Sequence, residues 1–144
     1  MKTPDANLLL YAYNESAEQH EKSKLWLEEK LSSPALFGLT WQVITAFLRI
    51  STNPRAFPLP FTLRESIQIV EDWLAQPQVK ILLPTEKHWK IYSDLILEGQ
   101  TNGAMMMDAH LAALAIEHGA TLATTDRDFV RFSKLRMINP LLIR

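Results

Sequence analysis

Residues 105–128, MMMDAHLAALAIEHGATLATTDRD, decide the fold class of this 144-residue chain. The first part is rich in alanine and leucine, and it predicts a helix that Gly119 ends from the position after the C-cap. The next residues, ATLATT (120–125), predict a short buried strand that leads into Asp126 and Asp128. A helix followed directly by a buried strand is typical of an α/β fold.

The same alternation of strands and helices extends through the rest of the chain. A first strand is predicted to end at Asp5, and further strands are predicted in PALFGL (34–39), QVKILL (78–83) and LRMINPL (135–141). Helices are predicted over residues 16–31 with Ser16 as the N-cap, 41–51 with Thr40 as the N-cap, 62–75 with a Thr62–Glu65 capping box, and 85–99. Alternating elements of this kind predict one α/β domain over residues 1–144, with a central, largely parallel sheet.

Composition excludes some classes of site and leaves others open. The chain has no cysteine, which excludes disulfides and thiolate zinc sites and fits a reducing cytoplasm. The apolar runs are too short to span a bilayer, so no membrane partner is expected. The four histidines show no zinc-ligand spacing. Of these, His110 is predicted to lie on the surface, and Glu117 is predicted to be a solvated or structural acid.

The net charge of −1 gives no overall signature of nucleic-acid binding, but the charges are unevenly distributed. Between Glu29 and Glu65 there is no acidic residue, whereas basic residues are present: Lys30, Arg49, Arg55 and Arg64. This segment either contacts phosphates or forms an ordinary solvated surface. The sequence leaves both readings open.

Three aspartates from distant parts of the chain are predicted to meet at one edge of the sheet. Asp5 and Asp126 follow strands, and Asp108 lies near the start of a helix, where the helix dipole favours a carboxylate. Ligands of open α/β sheets bind beyond the carboxyl ends of the strands. Taken singly, Asp108 is also explained as a helix-terminal acid, and Asp126 or Asp128 as a turn former. Together they predict a site for Mg²⁺ or Mn²⁺, whose chemistry suits phosphodiester hydrolysis.

Four segments of the sequence resemble the PIN-domain family and, within it, the VapC-type toxins of bacterial toxin–antitoxin pairs. They are PDANLLLYAY (4–13), FLRISTNPRAF (47–57), DAHLAALAIEHGATLATTDRDFVRF (108–132) and LRMINPL (135–141). The resemblance implies a three-layer α/β/α fold with four to five strands. It also implies a magnesium-dependent endoribonuclease that cleaves structured cellular RNA such as tRNA.

The resemblance also implies roles for individual residues. Asp5, Asp108 and Asp126 match the metal-binding acids of the family, and Asp128 is a further ligand or a supporting residue. Asn7 matches an asparagine that holds the loop after the first acid, and Thr125 matches a hydroxyl residue that positions a ligand. Arg49 and Arg55 are candidate RNA contacts.

The implied partners are a small antitoxin, promoter DNA bound only through that antitoxin, and a second copy of the chain. The apolar helix faces around Trp26 and Trp41 are candidate surfaces for the dimer or the antitoxin.

One departure from the family pattern affects the predicted metal site. Family members carry another acid, usually Glu, on the helix after the second strand, whereas TWQVITAFLRIS (40–51) has none and offers Trp41, Gln42 or Ala46 instead. This departure leaves open the number of metal ions. It supports an alternative function, a catalytically weakened PIN-like module that binds RNA or a protein. A phosphatase-like or receiver-domain reading has less support, because DANLLL lacks a DxDxT motif and Lys134 does not follow a predicted strand.

Overall fold

Five short parallel strands form one sheet in the computed structural model, which describes residues 1–142. The strands are β1 (Lys2–Pro4), β2 (Phe37–Leu39), β3 (Val79–Ile81), β4 (Thr121–Ala123) and β5 (Met137–Ile138). Their order across the sheet is β3-β2-β1-β4-β5, and every neighbouring pair is parallel. The N-terminal strand β1 therefore lies at the centre, between β2 and β4, while β5 forms one edge of the sheet.

Six helices flank this sheet, which confirms the predicted three-layer α/β/α fold. They are α1 (Ala6–Tyr13), α2 (His20–Ser32), α3 (Trp41–Ser51), α4 (Leu63–Leu74), α5 (His88–Gly99) and α6 (Met105–Glu117). A 3₁₀ helix, Arg127–Arg131, follows β4. Within residues 1–142 no helix combines the length and the apolar character needed to cross a bilayer.

Side-chain and backbone caps fix the ends of several helices. The Thr40 hydroxyl accepts a hydrogen bond from the Val43 amide, and Thr62 and Glu65 form the predicted capping box of α4. Gly119, with φ +65°, ends α6 as predicted. The prediction that Ser16 caps α2 was wrong: the helix begins at His20, and the Ser16 amide instead donates to Asn14 Oδ1 within a turn.

An aromatic cluster fills the core beside α1, α3 and α4. Trp73 is 1% exposed, and its ring lies 4.7 Å from that of Phe47 and 6.0 Å from that of Tyr13. Its indole N–H donates to the Tyr13 hydroxyl at 2.9 Å, so the buried polar atom is satisfied. The cluster therefore holds three helices together by apolar packing and one internal hydrogen bond.

Helix α6 packs through small side chains. Ala109, Ala112 and Ala113 are fully buried, as is the neighbouring Leu111. Small side chains let the helix backbone approach its neighbours closely, so the position of the first turn of α6 is tightly fixed. Asp108 lies in that turn.

We expect Trp73→Phe to lower the free energy of unfolding by about 1–3 kcal/mol, because the smaller ring leaves a void and removes the donor to Tyr13. The matched control is Trp89→Phe, at a tryptophan that is 70% exposed, which should change stability by less than about 0.5 kcal/mol. Urea unfolding followed by circular dichroism measures both. Equal losses in the two variants would contradict the assignment of Trp73 to the core.

Candidate active site at the edge of the sheet

Asp5 is held at the carboxyl end of β1 by three hydrogen bonds. Its backbone N–H donates to the Ala123 carbonyl of the neighbouring strand at 2.9 Å. Its Oδ1 accepts from the Ala6 amide at 2.8 Å, which makes it the N-cap of α1, and its Oδ2 accepts from the Thr124 hydroxyl at 2.9 Å. Burial raises the pKa of Asp5 above its ordinary value, the two hydrogen bonds partly offset this, and the charge of Asp126 raises the pKa further.

Thr124 connects two of the acids through a single hydroxyl. The group is 1% exposed, donates to Asp5 and accepts from the Asp126 amide at 3.0 Å. Sequence reasoning missed this residue and chose the adjacent Thr125, which is half-buried. Among residues 1–142, no hydrogen bond from the Thr125 side chain is found, and its supporting role stays a prediction.

Asn7 lies on the exposed side of α1. Its side chain makes no hydrogen bond to any part of the chain that the structure describes. The expected role in holding the loop after Asp5 is instead filled by the backbone amide of Ala6 and the hydroxyl of Thr124, both bonded to the carboxylate.

Asp126 and Asp128 belong to the turn that follows β4. The Oδ1 of Asp126 accepts from the Asp128 amide at 2.8 Å, so Asp126 is the N-cap of the 3₁₀ helix Arg127–Arg131. Asp126 is half-buried, whereas Asp128 is exposed. The turn-forming role of Asp126 and its place in a charged site are therefore compatible, since only one of its carboxylate oxygens is used by the turn.

The electrostatics of Asp108 place all four aspartates in one neighbourhood. Burial, followed by the charges of Asp5, Asp126 and Asp128, raises the pKa of Asp108 from 3.8 to about 6. Burial and nearby like charges both disfavour ionisation, so the raised pKa shows that Asp108 lies in a partly buried place close to the other acids. The distant acids of the sequence thus share one edge of the sheet, as their positions predicted.

Arg131 is a second residue that sequence reasoning missed. Its guanidinium donates to the Gly99 carbonyl at 2.9 Å and to the Asp128 carbonyl at 3.1 Å, and its charge acts against the rise in the pKa of Asp108. It thereby ties the 3₁₀ helix to the end of α5. The DFVRF sequence contains this arginine, but nothing in its spacing from the acids shows that the chain folds back toward Asp108.

Helix α3 forms the other wall of a groove of about 420 Å³ that opens beside Asp5. Trp41, Gln42, Ala46 and Arg49 line it, so every residue considered for the missing acid lies at the site. The two predicted RNA contacts lie in different places. Arg49 lines the groove, whereas Arg55 does not and is exposed in the loop after α3.

The donor atoms at this edge have the chemistry that a hard cation requires, because carboxylate oxygens are the usual ligands of Mg²⁺ and Mn²⁺. The raised pKa of Asp108 is a second point in favour, since a bound cation would relieve the repulsion among the acids. Within residues 1–142, however, no three Asp, Glu or His side chains are placed so that together they could hold an ion. The residue types therefore suit a hard cation, but their side chains are not positioned as a complete set of metal ligands.

A separate cluster of titratable groups lies between α5 and α6. Glu117 accepts from the Thr85 amide at 2.6 Å and from His88, and its side chain is closed off from solvent, so it is structural. Burial alone would raise the pKa of Glu117, but these hydrogen bonds lower it below its ordinary value. The prediction of a surface position for His110 was wrong: its ring packs 4.9 Å from that of His88 and 5.6 Å from that of Tyr92.

We expect Thr124→Val to raise the pKa of Asp5 further, because the valine keeps the shape of the side chain but removes a donor to the carboxylate. Loss of a hydrogen bond to a charged group should also lower stability at pH 7.5 by about 1.5–3 kcal/mol. Thr124→Ser, which keeps the hydroxyl, is the matched control. Carbon-13 NMR titration of the Asp5 carboxyl measures the shift, and equal pKa values in the two variants would contradict the role of Thr124.

We expect Asp108→Asn to stabilise the protein in the absence of divalent ions at pH above 6. The pKa of Asp108 is higher in the folded protein than in the unfolded chain, so protonation of Asp108 at low pH stabilises the fold. This contribution is lost as the pH rises through about 6 and the carboxylate ionises. The gain of the variant should appear between pH 4 and 6 and reach about 1–2 kcal/mol after solvent screening. Asp94→Asn, at an exposed aspartate of α5, is the control, and a variant curve parallel to wild type across this range would contradict the prediction.

Comparison with known proteins identifies the family of this chain. The PIN domain family matches residues 2–135. Ribonuclease VapC37 of Mycobacterium tuberculosis is 40% identical over 140 residues, which cover 97% of each chain. Ribonuclease VapC33 of the same species is 35% identical over 141 residues, covering 98% of this chain and 99% of that protein.

Solved structures show the same fold. VapBC2 from Rickettsia felis, bound to a DNA fragment from its promoter, superposes with a TM-score of 0.69 at 18% identity and covers 96% of this chain and 97% of that one. VapC20 of Mycobacterium tuberculosis, a toxin that cleaves the sarcin–ricin loop, superposes with a TM-score of 0.65 at 15% identity and covers 94% and 99%. With its near full-length matches, this chain belongs to the PIN domain family and to the VapC ribonucleases within it.

Proposed function

We propose that this protein is the toxin of a toxin–antitoxin pair and hydrolyses phosphodiester bonds of structured cellular RNA with the help of Mg²⁺ or Mn²⁺. The observation that carries the proposal is the charge cluster around Asp108, whose pKa is raised to about 6 partly by three other aspartates. Similarity to ribonucleases over 97% of the chain supports a nuclease as the use of that cluster.

Asp5, Asp108 and Asp126 would hold the metal ion in this proposal. A bound ion supplies a hydroxide nucleophile near neutral pH and stabilises the charge that develops on the phosphoryl group. Thr124 orients Asp5 toward the shared edge by holding one of its oxygens, while the Ala6 amide holds the other. Each carboxylate keeps further lone pairs free for a ligand, because a carboxylate offers about four acceptor sites.

Arg131 is the cation of the protein that acts on this edge of the sheet. It lowers the cost of ionising Asp108 when the acids are not neutralised by a metal. Its two hydrogen bonds to backbone carbonyls restrict the guanidinium, so the positive charge stays near the cluster.

A catalytically weakened module that binds RNA or a protein is the second candidate function. It is favoured by the lack of a carboxylate on α3 and by the fact that, over residues 1–142, no three acidic or histidine side chains are placed to hold an ion. Such a module would keep the fold and the groove beside Asp5 but would leave RNA intact.

An antitoxin is the proposed partner, and promoter DNA is bound only through it. Support comes from VapBC2 of Rickettsia felis and VapBC of Salmonella typhimurium, both solved as complexes with DNA. A homodimer and a cytoplasmic location, where the RNA substrate lies, complete the proposal. Of the two candidate interface tryptophans, Trp26 is half-buried with its ring 5.8 Å from Phe37, whereas Trp41 is 53% exposed.

The purified protein should cleave total RNA when Mg²⁺ or Mn²⁺ is present and should stop when EDTA is added. Asp108→Asn and Asp126→Asn should each lower the cleavage rate by about 100-fold or more, since even the partners of metal ligands contribute 10–100-fold. Asp94→Asn, remote from the cluster, should cleave like wild type. Gel electrophoresis of end-labelled RNA measures the rates.

RNA binding without cleavage in either metal would contradict the nuclease proposal and support the binding module. Cleavage that survives EDTA and the aspartate substitutions would contradict the metal site. Size-exclusion chromatography with light scattering tests the dimer separately.

A further inference from the structure

The groove between α3 and the start of α6 continues directly from the aspartate cluster. Asp5 forms one end of it, and Trp41, Gln42, Arg49 and Met107 are among the side chains that line it. Its volume of about 420 Å³ falls in the range of sites for small organic ligands. The groove is therefore large enough for a nucleotide that is placed next to the acids.

One face of α3 points an aromatic and a cationic side chain into this groove. Trp41, Thr45 and Arg49 follow one another at intervals of four residues, so they form a stripe along the helix, and all three are exposed. The apolar side chains of the helix, such as Phe47, are buried on another face. Trp41 is thus excluded from the core although it is one of the largest apolar side chains in the chain.

An exposed tryptophan beside the proposed cleavage site can stack on a nucleobase of the substrate. Every nucleobase presents a flat π-face, and stacking on an aromatic side chain stabilises unpaired bases irrespective of their sequence. Trp41 is 53% exposed, and Met107, which also lines the groove, is 54% exposed. The two side chains give the groove an apolar portion at the start of α3, away from its charged residues.

Gln42 lines the groove between Trp41 and the start of α6. Its Nε2 donates to the Met107 carbonyl at 3.1 Å, which fixes the amide. Its Oε1 is shielded from solvent and has no hydrogen-bond partner in the part of the chain that the structure describes. The amide is therefore held in place beside the groove, and it brings no charge to the wall that α3 forms.

The charges along the groove match a nucleotide backbone. Arg49 is the cation among the lining residues and lies two helical turns from Trp41, and Asp5 is the acid among them. A phosphate next to Arg49 leaves the neighbouring phosphate free to approach the aspartates. Because α3 carries no carboxylate, no negative charge on this helix repels the incoming chain.

From these contacts we infer that the groove binds one unpaired nucleotide of the RNA substrate, next to the phosphodiester that is cleaved. The base stacks on Trp41, and a backbone phosphate pairs with Arg49. The nucleotide must be unpaired, since the faces of a paired base are covered by its neighbours in the helix. The inference rests on the proposed RNA substrate and extends it to a subsite.

Binding of RNA to a non-cleaving protein tests the subsite separately from catalysis. Fluorescence anisotropy with a labelled, unpaired oligoribonucleotide of mixed sequence is measured in an Asp108→Asn background. Adding Trp41→Ala should raise the Kd about 5- to 150-fold, the factor that corresponds to one stacked base. Trp41→Phe keeps a ring and should recover most of the affinity. Trp89→Ala, at an exposed tryptophan outside the groove, should bind like the background protein.

Salt dependence tests the phosphate contact. Arg49→Ala should reduce the slope of log Kd against log salt concentration by about 0.7, as expected for one phosphate contact of a single strand. Arg64→Ala removes an exposed arginine that does not line the groove and should leave the slope unchanged. Circular dichroism melting of each variant confirms that the compared proteins are folded.

The outcomes separate this inference from the proposed function. If wild-type protein cleaves RNA but Trp41→Ala and Trp89→Ala bind it equally, the subsite is refuted and the nuclease stands. If wild type cleaves no RNA while Trp41→Ala weakens binding as expected, the nuclease fails and the subsite stands. If Trp41→Ala weakens only the complex with an antitoxin, the groove belongs to a protein partner and the subsite is refuted.

Discussion

The pairing of β1 with β4 is the constraint on which the rest of the structure depends. These strands are separated by more than a hundred residues, yet they run in register from Lys2 opposite Thr121 to Pro4 opposite Ala123. The Asp5 amide adds one more bond, to the Ala123 carbonyl. Because both strands are parallel, their carboxyl ends share an edge, and the residues that follow them are delivered to one place. Asp5 and Asp126 meet for this reason, and the end of α6 at Gly119 positions β4 so that Asp108 meets them too.

Holding these acids together costs electrostatic free energy, and the fold offsets it locally. Three nearby donors are used on carboxylates: the Ala6 amide and the Thr124 hydroxyl on Asp5, and the Asp128 amide on Asp126. Asp108 has the least of this help, and its pKa rises to about 6. Repulsion between these acids persists only where packing fixes the backbone, and the buried alanines of α6 provide that packing.

The sequence predicts the elements of this fold well but not the side-chain directions at its site. Strand ends, the capping box of α4 and the role of Gly119 are local features, and periodicity or cap chemistry is enough to find them. The choice between Thr124 and Thr125 is different, because adjacent residues in extended backbone point to opposite sides and a shift of one residue reverses the answer. Arg131 was missed because its position depends on a 3₁₀ turn and on the end of α5, which are set by tertiary packing. His110 was misplaced for a similar reason, since its partners lie on α5.

Helix α3 has no carboxylate, and the same helix forms a wall of the groove beside Asp5. A carboxylate on this helix would give the site one more ligand, but it would also add charge to a cluster that already raises the pKa of Asp108. Trp41, Gln42 and Ala46, the positions considered for that acid, all line the groove without a charge, and the Gln42 amide donates to the Met107 carbonyl. Helix α3 therefore adds no negative charge beside the aspartates. In the proposed nuclease, positioning of the substrate by Trp41 and Arg49 would offset the absence of a carboxylate on α3.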